Sequence, residues 1–467
     1  MVGISAYGVY VPARRMPLAM LTGAPAKEGG PEKAIAWSDE DSVTMAVEAA
    51  RNCLKGIDRS GIDMLLFATT SYAFSEKQGA AIIAKVLSLD PAVRAADISH
   101  SLKSGTQALL MAVDAVASGQ VNKVLVIAAD CRMGTPGSGL DNHGGDAGVA
   151  LLVSSENVLA TIEDSVSLSN ELVDVWRRDG DRFVHNWEDR FVVEHGYLEN
   201  AGSAAKQLLQ KQGLTPEKLD MVVLSAANNR SHKTLATKLG VNSFLRDSLI
   251  GRVGSCGTAH AFLQLAGALD EIDQGDLILL VNYGDGADAL LLKANQARSA
   301  NALEDAIASR IPVKSIEQYR KARGLVVSEY EDFDFQGISA TIHFRERDEN
   351  LSLEGHVCSC GSHQFPKERV CIRCGGIDKW ASNACYAEKT AKVKAYSFDY
   401  FSPSPEPPTA VTIVEVDDGP RIYMQMAEVN QEQVDIDMPV SFVFRRIHQV
   451  GNRPNYFWKC RPLGAVQ

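Results

Sequence analysis

Long apolar runs are missing from this chain. None reaches the ~18 residues that a membrane-spanning helix requires, so no membrane role is expected. The first residues, Met1-Val-Gly-Ile-Ser-Ala-Tyr7, lack the charged and then apolar segments of a secretory leader. A cytoplasmic location is the expectation. An excess of positive charge is also missing: 47 Lys and Arg against 58 Asp and Glu leave a net charge of −11. That balance argues against a whole-protein role on nucleic acid or an anionic membrane. A disulfide framework is lacking as well. The nine cysteines are an odd number, and four of them crowd into residues 358–374 while the others are scattered. Such usage suits a reducing compartment and a metal site.

What is present is ordinary globular material: 467 residues, 45% hydrophobic and 22% charged, enough for two or three domains with sizeable cores. The chain is organised around Asp97-Ile-Ser-His-Ser-Leu-Lys-Ser-Gly-Thr106, which runs into a helix-spaced apolar stretch ending at Gly119. A strand, a small-residue turn and a helix start place backbone N–H donors and a positive dipole at Ser104, Gly105 and Thr106. A thiolate or developing oxyanion would be favoured there.

Short apolar runs of buried-strand length recur around it. Gly3 to Pro12, Met64–Ala68, Lys123–Ala129 and Gly148–Val153 read as strands, and Ser42–Leu54 and Gly79–Leu89 as helices. Residues 13–39, with Pro25, Gly29, Gly30 and Pro31, read as a surface loop. The order then repeats. Asp220-Met-Val-Val-Leu-Ser225 echoes Asp63-Met-Leu-Leu-Phe-Ala68, and Gly254-Ser-Cys-Gly-Thr258 echoes Lys103-Ser-Gly-Thr106. Leu277–Val281 echoes Val124–Ala128, and Gly284–Leu292 echoes Gly145–Val153. The Gly-Thr pairs lie 152 residues apart and the Asp-Met pairs 157. This is an internal duplication of an α/β unit, with two central helix starts expected to converge.

The character changes after residue 295. Gln296 to Asp305 reads as an exposed helix or linker. Further on, Cys358-x-Cys360 and Cys371-x-x-Cys374 are ten residues apart, close to a zinc-ribbon spacing, with Gly361 and Gly375 following as the turns need. Four thiolates point to a closed structural zinc site. The first knuckle is one residue short, and His356 is the alternative ligand to Cys358. Cys385 and Cys460 read as core thiols. From Ala391 several alternating strands suggest a small all-β barrel or sandwich. Residues 351–467 carry 13 Lys and Arg against 13 Asp and Glu, which argues against nucleic acid as the barrel's partner.

These residues resemble a known family. Gly3-Ile-Ser-Ala-Tyr-Gly-Val-Tyr-Val-Pro12, Gly144-Gly-Asp-Ala-Gly-Val-Ala150, Asp174-Val-Trp-Arg-Arg-Asp-Gly180, Ala201-Gly-Ser-Ala-Ala-Lys206 and Tyr283-Gly-Asp-Gly-Ala287 are similar to archaeal and bacterial 3-hydroxy-3-methylglutaryl-CoA synthases of the thiolase superfamily. Leu353–Gly361, Phe365-Pro366, Cys371–Gly375, Val414–Gly419 and Trp458–Pro462 resemble the zinc-ribbon and OB-fold module that accompanies many acyl-CoA thiolases and synthases. The resemblance implies a duplicated, five-layer αβαβα thiolase fold followed by a zinc ribbon and an OB-fold barrel. The implied boundaries are 1–165 and 166–295 for the two halves, 296–350 for a linker and helical lead-in, 351–380 for the ribbon and 381–467 for the barrel. It also implies a coenzyme A thioester as ligand, structural zinc on Cys358, Cys360, Cys371 and Cys374, and a dimer with itself or with a thiolase-fold partner.

The family's catalytic side chains do not carry over. Its nucleophilic cysteine, in an Ala-Cys-Lys-Ala-Gly-Thr pattern, meets Ser101-Leu-Lys-Ser-Gly-Thr106, so Leu102 holds that place. Its histidine meets Ser225, its asparagine Arg252 and its acid Thr70. Lys103, Gly105, Thr106, Asn228 and Gly251 remain as the shell of the pocket. Leucine forms no thioester, so acyl-enzyme chemistry at this position is excluded. His100 is a candidate base, Cys256 a candidate displaced thiol and Arg252 a candidate for a carboxylate or CoA phosphate. Two functions stay open. One is a non-acylating subunit that pairs with an active thiolase-fold partner and lends its zinc-ribbon/OB module to the CoA site. The other is a Cys-independent enzyme, of aldolase or acyltransferase type, making or cleaving a C–C bond of a β-hydroxyacyl-CoA or β-ketoacyl-CoA.

Overall fold

The short apolar runs of the duplicated region are strands, and nine strands make one sheet. They are β1 (Gly3–Tyr10), β2 (Met64–Ala68), β3 (Arg94–Ile98), β4 (Lys123–Asp130), β5 (Ala147–Ser154), β6 (Ala160–Ser169), β7 (Met221–Leu224), β8 (Leu277–Tyr283) and β9 (Gly286–Ala294). The computed structural model describes residues 1–326, 339–401, 404, 406–450 and 453–464. By contacts the chain divides into two units. Unit 1 is Met1–Ala36, Asp41–Ala84 and Leu89–Ala308, and unit 2 is Trp37–Glu40, Lys85–Ser88 and Ser309–Gln467.

In unit 1 the strand order β7-β8-β9-β6-β1-β5-β4-β2-β3 states the duplication in space. Met64 pairs with Val124 where β2 runs parallel to β4, and Met221 pairs with Ile278 where β7 runs parallel to β8. Antiparallel β4–β5 and β5–β1 are matched by β8–β9 and β9–β6. The halves join through Gly3↔Thr161 and Ile4↔Ala160, which makes the two sheets continuous.

Helices cover and separate the halves. They are α1 (Ser42–Cys53), α2 (Ser104–Ala117), α3 (Glu199–Gln212), α4 (Asn229–Leu239) and α5 (His260–Leu269). Helix α1 starts where Asp41 accepts from the Val43 and Thr44 amides in a capping box. Helix α3 stops at Gly213, left-handed with φ 62°. All of α5 is buried, as befits a helix that is mostly apolar all round. Alternation in β8 shows the layering: Ile278 and Leu280 share a core with α2 and α5, whereas Leu279 and Val281 share one with α3 and α4. Helix α1 packs on β1, β4 and β5. The layers are thus α1, first half-sheet, α2 with α5, second half-sheet, α3 with α4.

One expectation needs correction here. Residues 13–39 are not simply a surface loop: Arg14–Pro17 pairs with Glu32–Ala34, and Arg15, Lys33, Ala34 and Ile35 are buried. The buried cations find acceptors, Arg15 through Nη2 on the carbonyl of Ile307 (3.1 Å) and Lys33 on Asp141. The stretch Gln296–Asp305 is mostly exposed, as expected, and runs into a helix over Ala302–Ala308 that buries only Leu303, in the central core. Of the expected linker and lead-in 296–350, residues 327–338 lie outside the described residues.

Unit 2 contains two small sheets. Strands β10 (Glu354–Cys358), β11 (His363–Gln364) and β12 (Trp380–Cys385) pair in the order β11-β10-β12. Strands β13 (Thr390–Asp399), β14 (Thr409–Val416), β15 (Arg421–Gln425), β16 (Pro439–Val450) and β17 (Arg453–Pro462) pair in the order β15-β14-β13-β16-β17. The two edges approach where Met426 bridges Cys460 and the Ala427 amide donates to the Cys460 carbonyl at 2.8 Å, so the barrel is nearly closed. Its interior holds Val393, Val414, Phe442, Phe444 and Trp458, all 2% exposed or less. Among the described residues no helix is long and apolar enough to cross a membrane.

Candidate active site

The turn between β3 and α2 is gripped from the other half of unit 1. Asp288, on β9 and fully buried, accepts from Thr106 Oγ1 (2.6 Å) and Gln107 Nε2 (2.7 Å), with Lys103 Nζ 3.9 Å away. Lys103 Nζ also donates to the Leu168 carbonyl at 2.7 Å, and Asn282 Nδ2 to the Leu102 carbonyl at 3.4 Å. Gly284 lies so close that a Cβ there would stand 2.7 Å from Lys103 N and 2.9 Å from Leu102 N. The two duplicated Gly-Thr turns meet: a Cβ on Gly105 would be 2.8 Å from the Thr258 carbonyl oxygen. Leu102 is held, half-buried, at the head of α2 beside these contacts.

A second anchor lies at the end of β4. The fully buried Asp130 carboxylate accepts from Thr69 Oγ1 (3.0 Å), Thr70 N (2.7 Å), Thr70 Oγ1 (3.0 Å) and Ser71 Oγ (2.7 Å). It also accepts from Thr258 N (2.8 Å) and Thr258 Oγ1 (3.0 Å). One carboxylate thereby ties the loop after β2 to the turn before α5 and is fully compensated for its burial. Gly257, left-handed with φ 57°, lies against it. Thr70 has its amide and hydroxyl committed to this anchor.

The remaining candidates are placed as follows. Ser225 follows β7, its amide donating to the Val281 carbonyl at 3.0 Å. Asn228 caps α4 by accepting from Ser231 N, and the Gly251 carbonyl accepts from Glu32 N. Both shell residues hold backbone in place. Arg252 does not point to a free anion site: its guanidinium binds Glu304 at 3.1 and 2.6 Å and Asp247 at 3.4 Å, in a half-exposed cluster. Cys256 is fully buried, donates to the Gly254 carbonyl at 3.2 Å, and burial beside Asp146 and Asp130 pushes its thiol well up. It has neither the access nor the acidity of a nucleophile. His100 is exposed, left-handed with φ 76°, and its Nδ1 lies 2.7 Å from Ser99 Oγ. Asp130 and Asp288 were not anticipated. Their signals were an aspartate closing an apolar strand and a second aspartate in Gly284-Asp-Gly-Ala-Asp288.

In unit 2 all four Cys358, Cys360, Cys371 and Cys374 sulfurs lie within 4.8 Å of one another. The Cys358–Cys374 and Cys360–Cys371 sulfurs are 3.8 and 3.7 Å apart. A tetrahedral zinc with ~2.3 Å bonds to sulfur sets its ligands about 3.8 Å apart, so this donor set fits the ion. Gly361 and Gly375 are left-handed, φ 82° and 67°, as the two turns require. His356 is outside the cluster, stacked on Trp380 with ring centroids 3.3 Å apart, so the short first knuckle does supply Cys358. Cys460 is a core thiol as expected, but Cys385 is exposed, with its sulfur donating to the Ser352 carbonyl at 3.1 Å.

Comparison with known proteins agrees with this architecture. Residues 209–293 match the family 3-oxoacyl-[acyl-carrier-protein] synthase III C terminal, and residues 386–445 match the ChsH2 C-terminal OB-fold domain. Hydroxymethylglutaryl-CoA synthase of Pyrococcus horikoshii is 34% identical over 294 residues, covering 61% of this chain and 84% of that protein. The Methanocaldococcus jannaschii enzyme is 32% identical over 299 residues, covering 62% and 86%. Among solved structures, an HMG-CoA synthase complexed with CoA superimposes with a TM-score of 0.62 at 20% identity, over 69% of this chain and 90% of that one. MvaS in complex with 3-hydroxy-3-methylglutaryl coenzyme A gives 0.61 at 23% identity, over 72% and 94%. At such identities the structures speak for the fold, and the sequence relatives speak for descent. This chain belongs to the hydroxymethylglutaryl-CoA synthase family of the thiolase superfamily and carries, in addition, a ChsH2-type OB-fold domain.

Proposed function

We propose that this protein handles acyl-CoA without forming an acyl-enzyme, as a subunit that pairs with an active thiolase-fold partner in the cytoplasm. In this reading Leu102, Ser225, Arg252 and Thr70 stand where the family has its cysteine, histidine, asparagine and acid. The observation that carries it is Leu102 itself. The turn around it keeps its anchors, Asp288, Asn282 and Gly284, so the scaffold that would aim a nucleophile persists with a hydrocarbon at its tip. Leucine has no lone pair to attack a thioester carbonyl. The fallback sulfur, Cys256, is sealed and hard to ionise.

The helix start and its amides still suit a thioester carbonyl, so unit 1 binds CoA thioesters and the zinc-ribbon/OB module completes a CoA site for the partner. Zinc on the four cysteines supplies structure rather than chemistry, since all its positions are taken by protein sulfur. The test is intact-mass spectrometry of the purified chain after exposure to acetyl-CoA and acetoacetyl-CoA, alongside calorimetric CoA binding. CoA binding with no mass gain is expected, with turnover only after adding a thiolase-fold partner that carries cysteine and histidine. A covalent acyl adduct on this chain would overturn the reading. Cleavage of a β-hydroxyacyl-CoA by the chain alone would replace it with the Cys-independent C–C enzyme.

A further inference from the structure

Three polar atoms of unit 1 are buried without a partner on α4 and α5, the two helices that hold the loop Asp247–Ile250, and their histidines, His232 and His260, lie close enough to interact electrostatically, each also with Asp247. On the first turn of α4, Asn229 and His232 lie three residues apart and so share a face. Asn229 Nδ2 donates to the Ile250 carbonyl at 3.1 Å, and its Oδ1 accepts from the Ser248 hydroxyl. On α5, His260 and Gln264 lie four apart, one above the other. Gln264 Nε2 donates to the Asp247 carbonyl at 3.0 Å. The same loop is therefore held from both helices. His232 Nε2, His260 Nε2 and Gln264 Oε1 have no hydrogen-bond partner, on residues 3%, 1% and 2% exposed.

The tautomer of His260 decides what fits among them. The Cys256 backbone N–H points at His260 Nδ1, 3.4 Å away, so Nδ1 accepts and the ring proton sits on Nε2. A metal ion would need the Nε2 lone pair. With Nδ1 already facing a donor, that would demand an imidazolate. Gln264 Oε1 accepts only. His260 Nε2–H donates, Gln264 Oε1 accepts, and His232 Nε2 takes either role according to its tautomer, so the three groups call for a small neutral molecule that both accepts and donates hydrogen bonds. We propose that a single internal water is bound there, accepting from His260 Nε2–H, donating to Gln264 Oε1 and hydrogen-bonded to His232 Nε2. Buried waters typically make about three hydrogen bonds to groups of this kind.

The site has a structural consequence for the acyl region. Helix α5 begins directly after Gly257 and Thr258, and Thr258 holds Asp130 through two hydrogen bonds. The water links α4 to the first turn of α5, the helix that follows Thr258. This inference is independent of whether Leu102 replaces a nucleophile.

The test is a crystal structure of the full chain at a resolution that shows ordered water, with data collected at the zinc edge. Long-range nitrogen–proton spectra of the imidazoles give the tautomers in solution. A water peak within hydrogen-bond reach of all three atoms, no anomalous peak there, and an Nε2–H tautomer for His260 are expected. In Gln264→Leu the water peak should be lost. An anomalous peak between the imidazoles, an Nδ1–H tautomer for His260, or the two rings bonded directly to each other would overturn the proposal. If Gln264→Leu does not fold, the wild-type spectra still decide it.

Discussion

Lowering the pH from 7 to 5 should destabilise unit 1 through His260, by an amount that can be worked out. Burial is the main cause that holds its folded-state pKa at about 4 instead of 6.5, neighbouring His232 adds to this, and Asp247 opposes it. The unfolded chain therefore binds a proton near pH 6.5 that the folded chain refuses until about pH 4. Between those values the unfolded state carries more protons, so stability falls as pH falls, and it levels off below about 4. At pH 5 the loss is roughly 2 kcal/mol, approaching roughly 3 kcal/mol at the plateau, from 1.36 kcal/mol per pH unit. For a unit of about 300 residues this is a fall in Tm of about 3 °C between pH 7 and 5. His232, also lowered by burial, with Asp247 opposing and Lys233 assisting, acts in the same direction. The assay is urea unfolding followed by far-ultraviolet circular dichroism at several pH values, for the wild type and His260→Gln. The variant, which cannot titrate at this position, should show the shallower pH dependence whatever its stability at pH 7. If both lose the same amount between pH 7 and 5, the reasoning about His260 is wrong.

Four further outcomes are expected. Leu102→Cys should gain a slowly formed acetyl adduct from acetyl-CoA, because the turn and its helix dipole remain; intact-mass spectra with no adduct would show that the turn does not present residue 102 to the thioester. Gly284→Ala should cost roughly 1–3 kcal/mol by overpacking the Lys103 amide and should weaken CoA binding, both readable by denaturation and calorimetry. Asp130→Ala should cost roughly 3–5 kcal/mol, since it strips the buried donors of Thr69, Thr70, Ser71 and Thr258 of their acceptor, and unchanged unfolding midpoints would refute its role as anchor. Metal analysis of unchelated protein should give one zinc per chain, lost in Cys371→Ser, and a ratio near zero in the wild type would dispose of the zinc site.

Much of this protein could be read from residue order alone. Several strands follow from local apolar runs, and the duplication follows from motifs 152 and 157 residues apart, because each half repeats the same local signals. The cysteine cluster was equally legible, since zinc-ribbon spacing is a local geometric demand. The identity of residue 102, and with it the proposed loss of acyl-enzyme chemistry, is likewise a matter of one letter in a motif.

Other features were settled only by tertiary contacts between residues far apart in the chain. Arg252 looked like an anion ligand until Glu304 and Asp247 were seen to occupy it. Cys256 looked like a spare thiol until burial removed both its access and its acidity. Asp130 and Asp288 became anchors only because the fold brings donors 128 and 182 residues away to their carboxylates. The physical reason is common to all four. Periodicity and spacing report what a residue can do with its near neighbours, whereas a carboxylate, guanidinium or thiol takes its role from whichever distant dipole or charge the packed core places beside it.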